Sequence, residues 1–243
     1  MNKRLGDSTP VYLKLQTQIQ SEIEKGRLSP GDCIPPEKEL AQMHQVSVGT
    51  VKKAILNLAN EGYLYRIQGK GTFVAGTTVR RESLRYYCCL NAFGGKEASL
   101  KIKFLELKKT DGIEQINCYL KIRHNQGLYE LRRLFISNKK PLIYCVSYFP
   151  QKLFEGLETF QTNRFERIPL YLLLEKKYGL PTTSNRELIG TVKTDEDCSK
   201  ILKVPQGTSV LFIEMVSFTY RKKPYEYRQS YCITDTHKFL REY

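Results

Sequence analysis

Apolar residues in the first third of the chain recur at helical spacing in three successive runs and then give way to short β-prone stretches. The first run opens at Ser8-Thr9-Pro10, where a hydroxyl suits free helical N–H groups and a proline at the first helical position loses no hydrogen bond. Leu13, Ile19 and Ile23 follow before Gly26, which predicts a helix of about four turns. A Pro30-Gly31 turn leads to Ile34-Pro35-Pro36 and a short, acidic-started helix whose Leu40, Ala41 and Met43 can face a core. After a break near Gln45, Ser47 can cap a third helix in which Val51, Ala54, Ile55, Leu58 and Ala59 form one stripe, and Gly62 stops it. Tyr63–Arg66 and Thr72–Val74 are β-prone runs joined across Ile67-Gln68-Gly69-Lys70-Gly71, a hairpin with a cationic, side-chain-poor tip.

The pattern changes near residue 77. Thr77–Ser83 is short and polar, which places the domain boundaries at 1–76, a linker at 77–84 and a second domain at 85–243. Beyond the linker, strands are predicted at 100–107, 128–136, 142–148, 186–192, 210–220 and 225–233, and helices at 112–120, 169–178 and 195–202. Asn138-Lys139-Lys140 and Arg221-Lys222-Lys223 read as hairpin turns, so much of the sheet should be antiparallel and the fold class α+β.

Composition narrows the chemistry. The 243 residues suit one or two soluble domains, no apolar run approaches the ~18 residues needed to span a bilayer, and MNKRLGDSTP lacks a signal peptide's apolar core, so a cytoplasmic protein without membrane contact is expected. Seven cysteines at unpaired spacings and three histidines offer no zinc, redox-pair or triad pattern, and no HExxH, GxSxG or P-loop occurs; neither metal nor cofactor nor catalytic residue is expected. A net charge of +14 invites nucleic acid, yet residues 1–77 carry only about +3 of it, so placement has to locate the DNA-binding face.

Opposite the apolar stripe of the third helix lie Gly49, Thr50, Lys52, Lys53 and Asn57, small, hydroxyl and cationic groups near a helix N-terminus that suit phosphates and base edges. A solvated helix face would carry the same residues; the basic wing that follows favours DNA. The segment resembles the DNA-binding domain of the GntR family, through Pro10-Val11-Tyr12, Pro30-Gly31-Asp32, Ile34–Ala41, Val46-Ser47, Thr50-Val51-Lys52, Ala54, Leu58, Gly62 and Gly69–Val74. The resemblance implies a winged helix-turn-helix contacting double-stranded DNA through Lys38, Ser47, Thr50, Lys52, Gly69 and Lys70. It departs from the family where Lys38, Lys52 and Val48 stand in place of arginines, which alters the base-reading inventory.

The second segment resembles the UTRA ligand-sensing domain of the HutC subfamily, through Tyr129–Leu134, Lys140-Pro141-Leu142, Ser147–Pro150, Leu170-Tyr171, Tyr178-Gly179, Leu202–Gly207 and Pro224-Tyr225-Glu226. That implies a chorismate-lyase-like fold with a mainly antiparallel sheet, a homodimer on a palindromic operator, and a small-molecule effector: a sugar, sugar derivative or organic acid. By position Arg133, Phe135, Tyr171 and Glu226 line its site, with Arg133 pairing an anion and Glu226 accepting hydrogens, although a structural ion pair would explain either residue. Phe135 stands where a second clamp arginine is usual, Pro169 for a serine, and Ala92 for another; the lost donors argue against a phosphosugar. The lyase-like fold raises catalysis as an alternative, and a winged helix can also bind RNA or protein, but no nucleophile–base pair supports an enzyme.

Overall fold

The computed structural model describes residues 9–76, 88–90, 92–95, 97–167, 169–235 and 237–240. Ser8 and the predicted linker at 77–84 lie outside them. The chain divides into two compact units, 1–80 with 220–222 and 81–219 with 223–243.

In the first unit α1 (Val11–Glu24), β1 (Cys33–Ile34), α2 (Glu37–Met43), α3 (Val48–Asn60), β2 (Leu64–Ile67) and β3 (Gly71–Val74) follow the predicted order. Pro10 is the N-cap of α1 rather than its first residue, and α2 likewise starts after a proline, Pro36. Ser47 caps α3, its Oγ accepting from the Thr50 N–H at 3.1 Å. Leu15, Ile19, Leu40, Val51, Ile55, Leu58 and Leu64 form one core, so the stripe of α3 packs against α1 and α2. The two-residue β1 extends the wing into a three-stranded sheet of order β1-β3-β2. No periodicity can announce so short a strand.

The second unit contains β4 (Cys88–Leu90), β5 (Lys101–Thr110), α4 (Glu114–Tyr119), β6 (Leu128–Ser137), β7 (Lys140–Pro150), α5 (Arg164–Arg167), α6 (Leu170–Tyr178), β8 (Ser184–Lys193), α7 (Glu196–Leu202), β9 (Ser209–Thr219), β10 (Lys223–Cys232) and β11 (Lys238–Leu240). Six strands form an antiparallel sheet of order β5-β6-β7-β10-β9-β8, and β4 pairs with β11. Asn138 (φ 49) and Lys139 (φ 65) are both left-handed, as the tight two-residue turn between β6 and β7 demands. Asp195 caps α7 by accepting from the Cys198 N–H at 2.8 Å.

Side chains alternate across this sheet. One face carries Leu134, Tyr144, Val146, Tyr148, Val210 and Tyr227 beneath Ile116 and Leu120 of the α4 segment and Cys198 and Leu202 of the α7 segment. The other carries two apolar clusters. Tyr129, Leu131, Phe149 and Tyr225 pack with Phe154, Phe165, Leu170 and Leu174, while Phe135, Ile143, Cys145, Ile213 and Cys232 pack with Cys89. Among the described residues Cys89, Cys145, Cys198 and Cys232 are buried, which suits small core residues.

Asn117 pins the loop after α4. Fully buried, its Nδ2 lies 2.8–2.9 Å from the carbonyls of Arg123, His124 and Gln126. Gly112 permits this approach, because a Cβ there would stand 2.2 Å from the His124 carbonyl. Asn117→Ala removes a buried donor from these carbonyls and is expected to destabilise the second unit by about 1–3 kcal/mol. Its urea midpoint should fall with an unchanged slope, and an unshifted midpoint would exclude the pinning role.

Candidate functional site

The DNA-facing candidates divide once α3 is folded. Ser47, Gly49 and Lys52 are exposed and Thr50 half-buried, so the cap and the outer side of the first turns are open to solvent. Ser47 Oγ and Thr50 Oγ1 share a hydrogen bond of 2.8 Å, which ties both hydroxyls to the cap. Lys53 is exposed as well, and its Nζ sits 3.9 Å from the ring centroid of Tyr12 on α1, a cation–π contact. Asn57 donates to Gln16 Oε1 at 3.1 Å, so it also faces α1. The helical wheel places both residues outside the apolar stripe. Only α1, brought alongside, claims them.

Lys38 on α2 is exposed, and so are Gly69 and Lys70 at the wing tip. The Lys70 N–H donates to the Ile67 carbonyl at 3.0 Å, closing the turn, and Gly69 takes φ +75 there. Gly71 has φ +133, and a Cβ on it would lie 3.1 Å from Cys33 Sγ, so glycine suits it on both counts. Arg66, at the base of the wing, bonds Glu37 at the start of α2 with Nη2 to Oε1 of 2.8 Å. Arginine followed by the wing's glycines gave no sign of that pairing in the sequence. Arg66 is thereby a brace between wing and helix-turn-helix.

The effector candidates converge at the centre of the six-stranded sheet. Arg133 faces Cys145 across β6–β7, Ser147 faces Arg228 across β7–β10, and Ser217 faces Glu226 across β9–β10. Alternation puts these on the face with the two apolar clusters, forming a polar strip between them. Tyr171, on the first turn of α6, reaches the strip. Phe135 belongs to the apolar cluster at one end, its ring centroid 5.6 Å from the Arg133 guanidinium carbon.

Arg228 was not singled out in the sequence, yet it is the best-connected member. Its Nε lies 3.1 Å from Glu226 Oε1 and 3.2 Å from Ser147 Oγ, its Nη2 lies 2.9 Å from Glu226 Oε1, and Nη2 also donates to the Tyr171 hydroxyl. Ser217 Oγ donates to the other carboxylate oxygen at 3.0 Å. Glu226 therefore engages protein donors through both oxygens, which narrows the role expected of it as a ligand acceptor. The available signal was the i, i+2 spacing of Glu226 and Arg228 on a β-prone run, which puts opposite charges on one face.

Arg133 contrasts with its neighbour. It is 2% exposed, yet its Nε and Nη2 have no hydrogen-bond partner. Burial, and next the positive charge of Arg228, push its pKa down. No group of three or more histidine, cysteine or acidic side chains able to hold a metal occurs among the described residues.

Residues 11–74 match the model of the bacterial regulatory proteins of the gntR family, and residues 96–238 match the UTRA domain. The HTH-type transcriptional regulator YurK of Bacillus subtilis is 33% identical over 221 residues, 90% of this chain and 89% of that protein. The HTH-type transcriptional repressor NagR of the same organism is 25% identical, covering 99% of this chain and 97% of its own. The ligand-binding domain of a GntR-family regulator from Bordetella bronchiseptica superposes with a TM-score of 0.60 at 21% identity, over 65% of this chain and 98% of that one. With helix-turn-helix, wing and sheet all accounted for, the chain belongs to the GntR family of DNA-binding transcription regulators, carries a UTRA effector domain, and is not an enzyme.

Proposed function

We propose that the protein is a cytoplasmic repressor that binds a palindromic operator as a homodimer and leaves it when a small polar metabolite, a sugar, sugar derivative or organic acid, occupies the polar strip around Arg133. The observation that carries the ligand reading is the buried Arg133 with unpaired N–H groups: an apolar core gains nothing from such a charge, whereas a ligand site uses it. Exposure of Ser47, Gly49, Lys52, Lys38, Gly69 and Lys70 supports the DNA reading, and the relative named as a repressor supports the sign of regulation. The boundaries 1–76 and 85–243 belong to the same reading.

The two edges of the six-stranded sheet support a dimer. Edge β5 carries exposed Lys101, Lys103, Lys108 and Lys109, the usual protection against strand pairing. Edge β8 exposes Leu188 (71%) and Ile189 (56%) instead. Antiparallel pairing of two β8 strands about Gly190 sets Glu187 opposite Lys193 and Leu188 opposite Val192, complementary in charge and in apolar character. A second copy of this chain is therefore the occupant proposed for β8. Ile189→Lys should give a monomer by light scattering with weakened operator binding, and a dimer that persists would remove β8 from the interface.

Operator affinity should fall steeply with salt, each neutralised phosphate contributing about −0.9 to the log–log slope. Lys52→Ala and Lys70→Ala should each flatten that slope by about one phosphate's share with no change in melting temperature. Lys53→Ala, whose ammonium rests on Tyr12, should leave the slope nearly unchanged. Equal effects of all three would refute the division of α3 into an open and a packed side.

The regulatory part is tested by a thermal-shift screen of sugars, sugar derivatives and organic acids, followed by titration of hits into the protein–operator complex. Coupling of about 1–3 kcal/mol corresponds to a loss of operator affinity of roughly 5- to 150-fold at saturation. Hits that bind Arg133→Ala equally well would place the site elsewhere, and hits that leave operator affinity untouched would remove the coupling.

A further inference from the structure

Resting on the reading of the polar strip as the effector site, we propose that it selects a ligand with one carboxylate, which docks on Arg133 alone while Arg228 and Glu226 remain paired with each other. The unpaired atoms of Arg133 are Nε and Nη2. These two nitrogens share one edge of the guanidinium plane, the edge that meets a planar carboxylate with two parallel hydrogen bonds. Arg228 turns the same edge to Glu226, although both of its nitrogens meet the one oxygen Oε1, so the strip holds one occupied guanidinium edge and one vacant counterpart.

Charge counting sets the ligand's charge. Among the described residues, the charged side chains that act most on Arg133 are Arg228, which opposes its ionisation, and Glu226, which favours it. Arg228 and Glu226 are each at most 2% exposed and form a direct pair at 2.9 Å, leaving Arg133 as the uncompensated charge. One carboxylate restores neutrality in a region closed to water. A phosphate dianion would bring one negative charge too many, and any bond that Arg228 Nε or Nη2 made to it would compete with the buried Glu226 carboxylate. Arg228 is thus the specificity-determining residue: by neutralising Glu226 it makes the strip ask for a monoanion.

The test compares the full-length protein with Arg133→Met and Arg228→Met, using acetate and inorganic phosphate as probes at matched ionic strength. Without a probe, Arg133→Met should melt at or above the wild-type temperature, because an unpaired buried charge is exchanged for an apolar chain of similar length. Arg228→Met should melt lower, because Glu226 loses its partner. Acetate should raise the wild-type melting temperature, phosphate should raise it less, and neither should act through Arg133→Met. A drop for Arg133→Met as large as for Arg228→Met would show a paired structural cation and overturn the proposal. A larger phosphate than acetate response, or no acetate response in the wild type, would overturn it equally. If acetate acts through Arg133 but no metabolite releases the operator, the regulatory reading fails while the monoanion site stands.

Discussion

A guanidinium buried in a β-sheet has to be compensated, and much of the second unit is arranged around doing so for one arginine and not for its neighbour. Arg228 is held by a carboxylate, a serine hydroxyl and a tyrosine hydroxyl contributed by β10, β7 and α6. Glu226, its carboxylate partner, is itself held by Ser217 from β9. This closed set of charge-assisted bonds survives burial because each strong donor meets an acceptor, and it fixes where α6 sits over the sheet. Arg133, two strands away on β6, lacks such a set, and that contrast is what marks the interior polar patch as the proposed site.

The apolar surroundings make that contrast effective. Aromatic residues under α6 close one end of the strip and the cluster around Phe135, Ile143 and Cys232 closes the other, so water competes weakly for the charges between them. Antiparallel hairpins bring the parts together cheaply. Arg133 and Cys145 meet across one tight turn, whereas Ser147 and Arg228, 81 positions apart, meet because β10 returns beside β7. In the first unit the same economy operates on a smaller scale, with one apolar stripe on α3 holding three helices and leaving the opposite side of its first turn open.

Most of the fold was legible in the amino-acid sequence because its elements are long and periodic. The stripe Val51, Ala54, Ile55 and Leu58, the caps at Ser47 and Asp195, and the six long strands of the second unit are local facts, set by side-chain spacing and backbone chemistry within a few residues. Arg133, Tyr171 and Glu226 were singled out by motif resemblance, and the register of β6, β7 and β10 is what sets Arg133 and Glu226 on one face of the sheet. Elements without a period, such as β1 and the β4–β11 pair, gave no local signal, since two or three residues acquire strand character only from the partner they meet.

Which charges are paired was decided only by the tertiary structure. Lys53 and Asn57 share the polar side of α3 with Lys52, and only the approach of α1 gives them partners, Tyr12 for the still exposed Lys53 and Gln16 for the half-buried Asn57. Arg133 and Arg228 are both arginines on β-prone runs, and only the i, i+2 spacing of Glu226 and Arg228 hints in the sequence at which of them is paired. Strand register and the seating of α6 place Glu226, Ser147 and Tyr171 around one and none of them against the unpaired edge of the other. Spacing along a chain determines which face a side chain takes, because that depends on neighbours a few residues away. Its electrostatic partners come from strands and helices distant in sequence, so they exist only once those elements have packed.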